Sequence, residues 1–188
     1  APVVMRQGSD VPGRITRLPG GVAMNIAMAL VRFGLRPAVL TAIGRDAEGA
    51  ELVAASERLG VDTRLAYRSE DLPTDRYMAI EGANGLIAAV ADAHSLEAAG
   101  ARILRPLEDG RLGTPAAPYS GVVALDGNLT PALLAEIATS PVSEAPPLAN
   151  ARSRINIAAK VTKPCDSPSG TAPSTFGSYC GSVPLIVR

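Results

Sequence analysis

Pro19-Gly20-Gly21-Val22-Ala23-Met24-Asn25 is the stretch whose residue types are best suited to receiving a ligand. Two adjacent glycines at a helix start leave backbone N–H groups pointing outward with no Cβ in the way, which suits a polar, oxygen-rich molecule. Asn25 would fall in the first turn, where its amide can both donate to and accept from a hydroxyl. The same spacing also admits a tight turn whose Asn satisfies nearby backbone. Asp126 ends the apolar run Val122-Val123-Ala124-Leu125, at the carboxyl end of a strand, where open α/β sheets place their ligand crevice. Asp126-Gly127-Asn128 reads equally well as a turn ahead of a helix. Asp92 and His94, the only histidine, could approach the same crevice, although a polar exit from a strand is their simpler meaning. Cys165 and Cys180 have no His nearby, so they lack both a metal-ligand set and a base for a catalytic thiol. Neither G-x-G-x-x-G nor the P-loop pattern ending in Gly-Lys-Ser/Thr occurs, which disfavours a Rossmann dehydrogenase and a P-loop NTPase.

Alternating strand and helix patterns must position these residues. Arg14-Ile15-Thr16-Arg17 alternates polar and apolar and predicts a short half-exposed strand. Val22 to Phe33 predicts a helix with Val22, Ile26, Ala29, Leu30 and Phe33 at apolar spacing and Gly34 as its C-terminal stop. Pro37 to Ile43 predicts a buried strand. Asp46 then caps a helix to Leu59, lined by Leu52, Val53, Ala55 and Leu59 and closed by Gly60. Thr63 to Tyr67 is a further strand. Thr74 to Ile80 and Leu86 to Ala91 form a hairpin about Asn84-Gly85, which supplies the positive φ of the turn. Ser95 caps a helix to about Leu107, Val122 to Leu125 is a buried strand, and Thr130-Pro131 opens a last helix. This alternation predicts a layered α/β domain with a largely parallel sheet.

The 188 residues suffice for one domain with a real core. Hydrophobic residues make up 47% and aromatics only 3%, so that core must be aliphatic. Lys+Arg 18 against Asp+Glu 18 leaves no field of one sign to draw nucleic acid or an anionic membrane. The longest apolar runs fall far short of the about 20 residues of a membrane span. Two Cys and no signal-peptide pattern predict a reducing, cytoplasmic setting, and Ala1 in place of Met suggests a clipped or processed start. From Ser140 the character changes. Both lysines, Lys160 and Lys163, both cysteines and 7 of the 16 prolines lie beyond it, and the apolar spacing stops. The chain is therefore divided into residues 1–139, the α/β portion, and 140–188, a Pro/Ser-rich atypical tail.

Arg14-Ile15-Thr16-Arg17-Leu18-Pro19-Gly20-Gly21-Val22-Ala23-Met24-Asn25-Ile26-Ala27, then Leu30 to Gly34, a strand, and Ile43-Gly44-Arg45-Asp46-Ala47-Glu48-Gly49, resembles the ribokinase-like (PfkB) carbohydrate kinases. The Pro-Gly-Gly-Val start with its Asn, and the strands ending in Asp92 and in Asp126-Gly127-Asn128, look most like the pseudouridine kinase branch. The resemblance spans about residues 3 to 139. It implies a three-layer ribokinase-like sheet with a small β-lid, and ATP-dependent phosphorylation of a sugar or nucleoside hydroxyl with Mg²⁺. It implies that Gly20, Gly21 and Asn25 hold the sugar hydroxyls, that Asp126 is an acidic position near the substrate, and that Val3 to Met5 and Arg14 to Arg17 are lid strands. Two copies pairing through the lid is a further implication.

This sequence also departs from the family. Val22 stands where ribokinases proper carry a sugar-binding Lys, which weakens ribose as substrate and leaves a nucleoside. The family's first strand, with the Asp that grips the sugar, would precede Ala1. Its Gly-Ala-Gly-Asp motif, which supplies the anion hole and the base, occurs nowhere in the 188 residues. Charge stabilisation and positioning provide nearly all of phosphoryl-transfer catalysis, so the chain is expected not to turn over by itself, and no catalytic residue is assigned. The abrupt tail is what a shifted reading frame would produce, with a disordered segment as the other reading. A non-catalytic nucleoside- or sugar-binding module is the alternative reading.

Overall fold

Two helices end where glycines allow the chain to reverse. The computed structural model describes residues 3–126, 129–139 and 185–187, and in it α1 spans Val22–Arg32 behind Gly21, whose φ of 98° favours glycine. At its other end Gly34 takes φ 79°, its N–H donates to Val31 O at 2.9 Å, and the Leu35 N–H reaches Leu30 O at 3.1 Å. These are the paired bonds of a Schellman motif, which satisfy carbonyls the helix leaves open. α2 (Ala47–Arg58) closes in the same way, with Gly60 at φ 82° and the Val61 N–H on Ser56 O.

The buried face of α1 is not the expected one. Ala23, Met24 and Ala27 are buried, whereas Ala29 and Phe33 are exposed. Small residues let the helix backbone approach the sheet closely, and the bulky Phe33 side chain, in the cap position, is left in solvent at 82% exposure.

The strand expected over 37–43 divides into β1 (Pro37–Val39) and β2 (Ala42–Gly44), because its halves have different partners. β1 pairs antiparallel with β7 (Leu185–Val187), and Ala38 bridges Asp62 in parallel. β2 pairs in parallel with β3 (Tyr67–Ser69), which starts later than the expected 63–67. β6 (Val122–Ala124) also pairs antiparallel with β7, so β1 and β6 run parallel to one another with β7 between them. In place of one largely parallel sheet there are an antiparallel three-stranded sheet in the order β1-β7-β6 and a separate parallel pair β2–β3, and Val122, at 68% exposure, makes β6 a half-open strand rather than a buried one.

β4 (Arg76–Gly82) and β5 (Gly85–Asp92) form the expected hairpin, with Gly82 opposite Gly85, Gly85 at φ 93°, and a bulge after Ile80. Neither expected lid strand upstream is present. Ile15 is 95% exposed and Arg14 to Arg17 have no ladder partner among the described residues. Val3 to Met5 bind the hairpin tip instead: the Ala83 N–H donates to Val3 O at 2.9 Å, and Asn84 exchanges two bonds with the Met5 backbone.

The helix expected from Ser95 to Leu107 breaks at Gly100, φ 50°, into α3 (His94–Ala99) and a 3₁₀ segment, Gly100–Leu107, that accommodates Pro106. α4 (Pro131–Thr139) is capped as expected, the Leu133 N–H donating to Thr130 Oγ at 3.2 Å. The core is aliphatic. One cluster joins Leu40, Ile103, Leu125 and Leu133, and the other joins Ala23, Ala27, Val39 and Val61. Among the described residues no helix is long and apolar enough to cross a membrane. The tail's Lys160, Lys163, Cys165 and Cys180, and the Ser140 boundary, lie outside the described residues.

Candidate functional site at the carboxyl edge of the sheet

Connection lengths decide which residues share an edge. Only Phe33 to Arg36 link α1 to β1, and the two pack together, so the helix runs back along the strand and its N-terminus lies at the strand's carboxyl end. β6 is parallel to β1, so Asp126, two residues beyond it, lies at the same edge. Ala124 of β6 packs on the cluster formed by Ala23, Met24 and Val39, which ties the first turn of α1 to the strand that delivers Asp126. Gly20, Gly21 and Asn25 thus come to one edge with Asp126. Gly21 is buried, Gly20 half-buried and Asn25 exposed, and among the described residues no side chain caps this helix end. Asp126 is 1% exposed, and its carbonyl accepts the Leu129 N–H at 3.3 Å. Gly127 and Asn128, the other half of its turn reading, lie outside the described residues.

Asp46 stands at the carboxyl end of β2, on the same edge, and does more than the capping expected of it. Its carboxylate accepts the Gly49 N–H of α2 at 2.7 Å, the Thr74 N–H at 2.7 Å and the Thr74 hydroxyl at 2.5 Å. Burial pushes this carboxyl up, but the donors from Thr74 and Gly49 more than reverse that and hold it below its ordinary value of 3.8. Thr74 lies just ahead of β4, so the hairpin also leaves the body at this edge.

Asp75 follows and accepts the N–H groups of Ser95 and Leu96 at 3.0 and 2.9 Å. The cap of α3 is therefore a distant aspartate rather than Ser95. Burial raises the Asp75 carboxyl above the usual carboxylate range, only partly offset by these donors, and the nearby Asp92 charge adds to the rise. Asp92 and His94 meet each other, Oδ1 to Nδ1 at 2.8 Å, at the exposed foot of β5. Sequence reasoning missed Thr74 and Asp75, since nothing in their local spacing announces partners in α2 and α3.

The segment leading to Gly20 is held on α2 by the Arg17–Glu51 pair at 3.1 Å, beside a recess lined by Leu18, Pro19, Leu52 and Thr74. Its free volume of about 30 Å³ is water-sized, too small for a sugar. β5 is exposed from Gly85 to Ala91. Among the described residues no group of three or more His, Cys, Asp or Glu could hold a metal ion.

The α/β body with its β4–β5 hairpin flap has the ribokinase-like fold. Residues 4–103, more than half the chain, match the pfkB family carbohydrate kinase model. The chain is 32% identical over 125 residues to the uncharacterized sugar kinase YeiI of Escherichia coli (strain K12), a match that covers 66% of this chain and 33% of that protein. The solved carbohydrate kinase from Agrobacterium tumefaciens superposes with a TM-score of 0.57 at 25% identity, covering 71% of this chain and 43% of that one. The chain belongs to the PfkB family of carbohydrate kinases. It spans about a third of the length of the curated relative it matches.

Proposed function

We propose that residues 1–139 form the acceptor side of an ATP-dependent kinase that phosphorylates a sugar or nucleoside hydroxyl, with a pseudouridine-type nucleoside as the favoured acceptor. The observation that carries this reading is the convergence of Gly20, Gly21, Asn25 and Asp126 at one sheet edge under a family match to carbohydrate kinases. In this arrangement the uncapped amides of α1 and the Asn25 amide take the acceptor's hydroxyls, and Asp126 fixes its orientation from the sheet side. Val22 in place of a cationic residue supports a nucleoside over free ribose. ATP and Mg²⁺ belong to the reaction, and because the sequence lacks Gly-Ala-Gly-Asp these 188 residues bind and orient without phosphoryl transfer. The division near Ser140, a shifted frame beyond it, a cytoplasmic setting and pairing of two copies through the hairpin complete the proposal.

Calorimetry on the 188-residue chain tests it, with heat of binding expected for pseudouridine and none for ATP. Absence of binding to any nucleoside or sugar overturns the acceptor assignment, and measurable ATP turnover overturns the inactivity. Translation of the other two frames beyond the Ser140 codon is expected to recover Gly-Ala-Gly-Asp. Nucleoside binding without that motif leaves a non-catalytic binding module.

A further inference from the structure

Asp92 and His94 stand together at the foot of β5, and both reach solvent. The imidazole Nδ1 meets Asp92 Oδ1 at 2.8 Å, with 86% of the histidine side chain and 50% of the aspartate exposed. This contact orients the ring: Nδ1–H donates to the carboxylate, and Nε2, on the far side of the ring, bonds to nothing among the described residues. Asp92 at the end of β5, Glu97 in α3 and Asp75 ahead of β4 all favour the charged imidazole. Arg76 of β4 lies opposite Asp92 in the ladder, and Glu48 of α2 holds its guanidinium at 3.3 Å.

Two chains of contact bring this pair to the start of α1. Glu48 and Thr74 line the same small recess as Pro19, the residue before Gly20. Thr74 leads into Asp75, whose carboxylate takes the Ser95 and Leu96 N–H groups and so fixes the turn that begins with His94. Glu48 leads through Arg76 to Asp92. The imidazole thus stands on the hairpin side of the corner where Gly20 and Gly21 open α1, while Asp126 comes from the sheet side.

We propose that His94, oriented by Asp92, binds the base of the acceptor, its Nε2–H donating to a ring carbonyl oxygen, so that the pair selects a nucleoside over a free sugar. This deepens the acceptor reading given above and rests on it. A ring carbonyl offers in-plane lone pairs to such a donor, whereas a sugar in its ring form carries hydroxyls and no carbonyl. Because the bond is made by the charged imidazole, binding favours the proton on His94, and affinity declines as pH rises through the histidine midpoint.

The test uses the 188-residue chain, the NMR signal of its single histidine, and pseudouridine and ribose as probes. Pseudouridine is expected to move the His94 ring signal and to raise its titration midpoint, whereas ribose leaves the midpoint in place. In calorimetry below the ordinary histidine value of 6.5, His94→Ala is expected to weaken pseudouridine binding roughly tenfold, as loss of a charge-assisted hydrogen bond implies. His94→Gln, whose amide keeps a donor, recovers most of that affinity and loses its pH dependence. Thermal melts check that both exposed substitutions leave the fold intact. A midpoint that stays or falls on saturation with pseudouridine, or a ribose shift as large as the nucleoside's, overturns the base-binding role while the acceptor reading stands. Binding of neither probe defeats the acceptor reading, and the role of His94 falls with it.

Discussion

Gly49 in the first turn of α2 sits so close to the carbonyl oxygen of Gly44 that no side chain fits between them. A Cβ at Gly49 would also lie 2.7 Å from Thr74 Oγ and 2.9 Å from an Asp46 carboxylate oxygen. The main obstacle is backbone, which cannot swing aside. Gly49→Ala is expected to destabilise the chain by about 1–3 kcal/mol, the usual range for overpacking. Gly34→Ala meets open space and carries only the strain of its positive φ, about 1–2 kcal/mol. Urea denaturation of both variants checks this, and a Gly49→Ala midpoint equal to wild type would rule out the close approach.

Asn25 separates binding from stability. Its side chain is exposed, and the bond made by its backbone, N–H to Gly21 O at 3.0 Å, survives substitution. Asn25→Ala should leave stability within about 0.5 kcal/mol of wild type, as surface changes do. It should weaken nucleoside binding by roughly tenfold, the worth of one or two hydrogen bonds. Asp126→Asn, at a fully buried position, is expected to lower both. Calorimetry paired with thermal melts distinguishes the two patterns, and unchanged affinity in Asn25→Ala removes that residue from the site.

His94 is the only histidine in the sequence, so its imidazole gives a single NMR titration. The hydrogen bond and the charge of Asp92 raise its pKa above the ordinary 6.5, with Glu97 and Asp75 acting in the same direction. A raised histidine pKa means that its contribution to folding is fully present below 6.5 and is lost as pH rises through the higher folded value. The expected result is a midpoint above 6.5 that moves down in Asp92→Asn. A wild-type midpoint at or below 6.5 contradicts the pairing.

Local signals made the helix ends and the hairpin legible: Gly34, Gly60 and Gly85 each take the positive φ for which glycine was assigned, and Thr130 and Asp46 cap where they should. Non-local choices were not legible. Arg14 to Arg17 alternate like a strand but form none among the described residues, and Arg17 pairs with Glu51. α1 presents apolar residues on more than one side, and only the sheet decided that Ala23 and Ala27 should face it. Gly20, Gly21, Asn25 and Asp126, proposed for the site from their order and from a place after a strand, share one edge. The fastening of the flap could not be read locally, because Asp46 meets Thr74 and Asp75 meets Ser95 across intervening elements.

Acid should loosen Asp46 from its Thr74 and Gly49 donors before it disturbs the start of α3. The folded pKa of Asp46 is held below 3.8 by its Thr74 and Gly49 donors, which outweigh its burial. For a depressed carboxylate the unfolded chain binds the proton more readily, so the stabilisation is complete above 3.8 and drains away as pH falls through the lower folded value. Asp75, raised by burial, has the opposite sign: its charged form costs stability, and that cost appears as pH rises above 3.8 through its folded value. Acid titration followed by hydrogen exchange should therefore show steeper loss of protection in α2's first turn than at the start of α3. Asp46→Asn keeps a capping oxygen but no titrating group. Its α2 protection should be lower at neutral pH and flat across the acid limb, and a variant that keeps the wild-type slope would show that another group carries the acid dependence.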